Sequence, residues 1–120
     1  MTVTVRERGQ ATIVDVEGQL TFESTPDLRG HLLKALKKKT PAAVLVNLGA
    51  VGYMDSSGIA TLVEGLKAAQ ANQVPFGLCG LSRNLRNVLE LVRLDKVFRI
   101  FASEDEALQQ LAGSLPQDSD

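Results

Sequence analysis

Asp55-Ser56-Ser57-Gly58 sets a carboxylate, two hydroxyls and a glycine side by side, between a buried strand pattern and an amphipathic helix pattern. Open α/β sheets place their sites in loops that follow the C-terminal ends of strands. A helix start offers free backbone N–H groups and the positive end of the dipole. Gly58 would let another molecule approach the backbone closely. A plainer role is open to the same residues, with Asp55 or Ser56 as the helix N-cap and Gly58 a tolerated entry residue. A serine nucleophile is the competing chemistry, and it needs a base within reach. The lone histidine, His31, falls on a different predicted helix. Residues 54 to 58 read Met-Asp-Ser-Ser-Gly, which is no Gly-x-Ser-x-Gly elbow. No enzyme is expected.

The elements that must position this run can be read outward from it. Ala43-Val44-Leu45-Val46 is a continuous apolar stretch, the mark of a central strand covered on both faces, and Asn47-Leu48-Gly49-Ala50 leaves it. After the run, Ile59, Leu62, Val63, Leu66 and Ala69 recur as the buried stripe of a helix. Ala60, Gly65, Ala68 and Ala71 lie off that stripe and could let a partner pack flat. Helix propensity accounts for the alanines equally well, but a glycine inside a helix costs about 1 kcal/mol and asks for a reason.

Towards the N-terminus, Val3 and Val5 alternate with polar residues, as do Thr12, Val14 and Val16 with their neighbours, and Gly9-Gln10 suits a hairpin turn between two antiparallel strands. Gly18 is expected to end the second strand. Ser24-Thr25-Pro26-Asp27 starts a helix with leucines at helical spacing, running to about Lys39 and stopped by Pro41. Towards the C-terminus, Phe76 to Gly80 reads as a strand. Ser82 caps a helix with the stripe Leu85, Val88, Leu89 and Val92, and Val97 to Phe101 reads as a last strand. Ser103-Glu104-Asp105-Glu106 fits a capping box ahead of a final helix. The order β-β-α-β-α-β-α-β-α predicts a parallel or mixed sheet with packed helices. Residues 1–113 read as one domain and 114–120 as a flexible tail.

Composition excludes several function classes. A net charge of −1 over 120 residues leaves no electrostatic footprint for nucleic acid. The run Lys37-Lys38-Lys39 reads as a solvated helix C-terminus. A single cysteine, Cys79, excludes an internal disulfide, and in its apolar run it reads as a small buried hydrophobe. One histidine and one cysteine cannot make an all-protein zinc site of the usual kind, and no cofactor is expected. The longest mostly apolar stretch, Pro41 to Met54, falls short of the ~20 residues of a membrane span. A cytoplasmic location without direct membrane insertion is the expectation.

Taken together, these landmarks resemble the STAS domain family, the fold of bacterial anti-sigma factor antagonists, over residues 3 to 112. They are Gly18-Gln19-Leu20, Val44-Leu45-Val46-Asn47-Leu48, Tyr53-Met54-Asp55-Ser56-Ser57-Gly58-Ile59, and Val88-Leu89-Glu90-Leu91 followed by Leu94-Asp95-Lys96-Val97-Phe98. The resemblance implies an α/β STAS fold, a mixed sheet of four to five strands packed with about four helices. It implies that Ser56 is phosphorylated by a partner that is both serine kinase and anti-sigma factor, which supplies ATP and magnesium. It further implies that the unphosphorylated form binds this partner and frees the sigma factor, and that a phosphatase resets the switch.

The partner face would gather Thr21, Phe22, Glu23, Met54, Ala60 and Glu64 around Ser56. Phe22 is read first as a core residue and otherwise as an exposed apolar contact. Many antagonists carry an aspartate where this chain has Thr21. That departure keeps open a second circuit, because STAS domains also serve as accessory subunits of lipid-transport ABC systems, docking on a permease or its ATPase.

Overall fold

The computed structural model describes residues 1–37 and 43–112. Its strands and helices, in chain order, are β1 (Thr2–Arg8), β2 (Ala11–Leu20), α1 (Thr25–Leu36), β3 (Ala43–Met54), α2 (Ser56–Ala71), β4 (Phe76–Cys79), α3 (Arg83–Leu91), β5 (Ile100–Phe101) and α4 (Glu104–Ala112). The five strands form one mixed sheet in the order β1-β2-β3-β4-β5. The hairpin partner β1 runs antiparallel to β2 at the edge, and every other pairing is parallel. The expected end of α1 at Lys39 and Pro41, and the expected tail at 114–120, lie outside the described residues.

The period-2 pattern sorts the sheet into two faces. Val14, Val16, Val44 and Val46 face a core closed by Leu28, Leu32 and Leu36 of α1, Leu62 of α2, and Leu85 and Leu89 of α3. Ile13, Leu45 and Cys79 face the other way, onto Ala107 and Leu111 of α4. Cys79 is the buried hydrophobe its surroundings imply, and burial pushes its thiol up to about 11.

Two strand ends differ from expectation. β2 does not stop at Gly18. It continues to Leu20 through irregularities between Asp15 and Glu17 and between Gly18 and Gln19, with Gly18 at φ +114, a conformation that favours glycine. Likewise β3 does not leave the sheet at Asn47 but runs on to Met54. Asn47 is tolerated because its amide donates to the Asp15 carboxylate (2.9 Å) while its Oδ1 accepts from the Gly49 N–H (3.0 Å). The extra length carries β2 and β3 together to the mouth of the site, where Leu20 pairs with Met54.

Two expectations near α3 are also corrected. Val92 is half exposed and lies past the helix end, and only Leu85 and Leu89 of the stripe are fully buried. The last strand is reduced to Ile100–Phe101, with residues 97–99 outside it. At α4, Ser103 Oγ accepts from the Glu106 N–H, and Glu106 reaches back to the Ala102 N–H. This is a capping box displaced by one residue.

Candidate functional site

Asp55 turns the chain from strand into helix. Its backbone N–H donates to Leu20 O at 3.0 Å, which ties the end of β3 to the end of β2. Its Oδ1 accepts from the N–H groups of Ser57 (2.9 Å) and Gly58 (3.2 Å), so Asp55 is the N-cap of α2. Its Oδ2 accepts from the Phe22 N–H at 3.2 Å, across the gap to the β2–α1 loop. One carboxylate therefore caps the helix and fixes the loop beside it. With the cap supplied by Asp55, Ser56 sits at the first position of α2 with its residue exposed to solvent. Ser57 is half buried, and its carbonyl accepts from the Thr61 hydroxyl (2.9 Å).

Gly58 serves a different purpose from the one expected. It is buried, and a Cβ there would lie 2.6 Å from Met54 Cγ, 2.9 Å from Leu20 Cβ and 3.1 Å from Leu20 O. The glycine lets the first turn of α2 rest directly on the two strand ends, and its close neighbours belong to this chain. Gly65 is likewise buried, with Leu32 of α1 only 2.5 Å from where its Cβ would be. The small-residue face at Gly65 is thus the crossing of α1 and α2, which answers why a glycine stands inside the helix.

The residues expected on the partner face divide. Ala60 is exposed one turn after Ser56, and Glu64, a further turn on, is partly exposed. Glu64 is bound by Arg29 of α1 at 2.7 Å, and the paired guanidinium holds its carboxyl below the ordinary range. Glu23 is exposed and Thr21 partly so. Phe22 is 78% exposed, which overturns its reading as a core residue. Met54 is the contrary case. At 3% exposure it belongs to the core beneath Gly58, and its side chain is not offered to a partner. His31 does not approach the site, its Nδ1 lying 2.8 Å from the Asp27 carbonyl within α1. Ser56 therefore has no histidine base, and the Asp55 carboxylate is already engaged by three N–H groups.

Two exposed apolar residues at this end of the sheet were not anticipated as surface. Tyr53 is 53% exposed at the close of β3, and Leu91 is 83% exposed at the end of α3. The signal for Leu91 was available, because it stands off the Leu85-Leu89 stripe.

The model of the STAS domain matches residues 2–107, and the chain belongs to that family. The anti-sigma-F factor antagonist RsfB of Mycobacterium tuberculosis is 25% identical over 94% of this chain and 91% of its own. The anti-sigma-B factor antagonist of Staphylococcus aureus is 29% identical over 72% of this chain and 80% of its own. Among solved structures, an anti-sigma-factor antagonist STAS protein from Planctomyces limnophilus superposes with a TM-score of 0.82 at 26% identity, covering 92% of this chain and 97% of that one. Among the described residues, no helix is long and apolar enough to cross a membrane, and no cluster of His, Cys, Asp or Glu could hold a metal ion.

Proposed function

We propose that this protein is an anti-sigma factor antagonist whose binding is switched at Ser56. The observation that carries the reading is the division of labour at the start of α2. Asp55 does the capping, which leaves the adjacent Ser56 exposed beside the exposed loop of Phe22 and Glu23. Unphosphorylated, the chain binds an anti-sigma factor through this face and so frees the sigma factor.

The anti-sigma factor is also the serine kinase. It brings ATP, magnesium and the base that takes the Ser56 proton. The Ser56 oxygen attacks the γ-phosphorus, the bond to the bridging oxygen of ADP breaks, and ADP leaves. The new group adds about −1.5 to −2 charges. A phosphate at a helix N-terminus is tolerated by the N–H groups and dipole there, so the fold persists while the docked partner is repelled. Asp55 and Glu23 already make that neighbourhood acidic. A phosphatase hydrolyses the ester and resets the switch.

The test is a pull-down from native lysate with wild type and Ser56→Asp, followed by phosphorylation of the wild type with the captured kinase and ATP. Capture of an anti-sigma kinase by wild type alone, with phosphate mapped to Ser56, is the expected result. Capture of a transporter permease or its ATPase instead, with no phosphate on Ser56, overturns it.

A further inference from the structure

The two carboxylate oxygens of Asp55 serve two different elements. Oδ1 accepts from the Ser57 and Gly58 N–H groups of α2, and Oδ2 accepts from the Phe22 N–H of the β2–α1 loop at 3.2 Å. The helix needs only the first of these. An N-cap requires one acceptor oxygen, and Ser82 caps α3 with a single hydroxyl. Nor does the loop need the second in order to close. Ser24 Oγ accepts from the Thr21 N–H at 2.9 Å and donates to the Gln19 carbonyl at 2.7 Å, and the Thr25 N–H reaches Thr21 O at 2.9 Å. The strand ends beneath are joined by the backbone of residue 55, whose N–H donates to Leu20 O, a bond that any residue but proline can make. What the Oδ2 bond adds is the placement of the loop tip against the first turn of α2. That tip carries Phe22, 78% exposed, and Glu23, also exposed.

We infer that Asp55 is a positioning residue of the binding face, holding the Phe22–Glu23 loop in the one placement beside Ser56 in which the anti-sigma factor docks on both. The inference rests on the antagonist reading above. A loop left free has to be ordered when a partner binds, and that ordering weakens the complex. A tether to a residue of α2 orders it beforehand.

The chemistry selects aspartate for this double duty. A carboxylate has two acceptor oxygens, whereas an asparagine amide has one and would set its NH₂ donors against the Phe22 N–H. Serine has a single oxygen on a shorter side chain. Asparagine and serine cap helices about as well as aspartate, so either one keeps the cap and loses the tether. Charge and placement then act in opposite directions. If phosphate weakens docking by adding negative charge, removing the Asp55 charge by itself strengthens docking, while losing the tether weakens it.

The experiment takes the anti-sigma kinase recovered by the wild-type chain, purifies it, and titrates it calorimetrically. The titrants are wild type, Asp55→Asn, Asp55→Ser, Phe22→Ala, the double variant of Asp55→Asn with Phe22→Ala, and Ser56→Asp. Thermal melts and amide hydrogen exchange by NMR are recorded on the free chains. Asp55→Asn and Asp55→Ser are expected to melt within a few degrees of wild type, because the cap remains. Their Phe22 amide is expected to exchange about fivefold or more faster, and their Kd to rise about threefold to tenfold. Phe22→Ala is expected to raise Kd at least as much, and the double variant to bind within about twofold of Phe22→Ala alone, since a residue that acts through the loop then has nothing left to position. Unchanged or lowered Kd for folded Asp55→Asn and Asp55→Ser overturns the positioning role and leaves the Ser56 switch standing. Effects of Asp55→Asn and Phe22→Ala that multiply make Asp55 a separate contact and also overturn it. So does a Phe22 amide that exchanges as fast in wild type as in the variants, whatever their stability. Equal binding of wild type and Ser56→Asp overturns the switch, while a non-multiplying loss in the Asp55 and Phe22 series still upholds the positioning role. Recovery of no anti-sigma kinase by the wild type overturns both readings.

Discussion

Ser56 and Ser57 are adjacent hydroxyls, yet their surroundings differ. Ser57 gives its N–H to Asp55 and its carbonyl to Thr61, and is half buried. Ser56 is exposed on the side that leads through Ala60 to Glu64. Ser57→Ala is therefore expected to accept phosphate still, at a rate reduced about threefold or less because the helix start is preserved. Phosphopeptide mapping checks this, and complete loss of phosphate in that variant would move the acceptor to Ser57. Ser56→Ala is expected to bind the anti-sigma factor like wild type and to ignore the kinase and ATP, measured as binding before and after incubation with both.

At the level of elements, the start of α2 is a join between two strand ends, a loop and a helix. Asp55→Ala removes the cap and the Phe22 tether together, and is expected to cost about 1–2 kcal/mol in urea unfolding. Gly58→Ala drives a methyl group into Leu20 and Met54 and is expected to cost about 1–3 kcal/mol. An unchanged unfolding midpoint for Gly58→Ala would contradict the close seating of α2 on the strand ends. The cap was legible in the sequence only as a choice between Asp55 and Ser56, and the hydrogen bonds to the Ser57 and Gly58 N–H groups place it on Asp55.

The duty of each glycine was less legible. A pattern of small residues says that something comes near, and only the fold says that at Gly65 it is Leu32. The lengths of β2 and β3 were hidden for a related reason. Gly18, Asn47 and Gly49 are residues that usually leave a strand, and here bulges and the Asp15–Asn47 hydrogen bond keep them in it. Phe22 misled because residue type alone favoured the core, and the hydrogen bond from its backbone N–H to Asp55, 33 positions away, could not be read from the sequence.

Over the whole molecule, the site end of the sheet is left open while α4 is bound across the other face by charge. Arg6 of β1 joins Asp15 of β2 and Glu104 of α4, and Arg8 joins Glu104 and Asp105. Hydrogen bonds from Arg6 hold the carboxyls of Asp15 and Glu104 below their ordinary values of 3.8 and 4.5. For a carboxylate depressed in the folded state, the stabilisation is fully present above its unfolded pKa and lost as pH falls through the folded one. Stability is thus expected to be flat from neutral pH to about 5 and to decline below about 4. Asp15→Asn should cost on the order of 1 kcal/mol at pH 7, since the partly exposed pair is screened by solvent. Its difference from wild type should shrink as the pH drops below about 4. Urea unfolding at both pH values checks this, and a pH-independent difference would mean that packing, not charge, holds Asp15.

The central claim is that one phosphoryl group on Ser56 separates two binding states of an otherwise unchanged fold. The direct measurement is the affinity of the purified anti-sigma kinase for wild type, phosphorylated wild type and Ser56→Asp, at one salt concentration, alongside their melting temperatures. Kd is predicted to rise about tenfold or more on phosphorylation and in the same direction for Ser56→Asp, with melting temperatures within a few degrees. Equal affinities for phosphorylated and unphosphorylated protein would contradict the account.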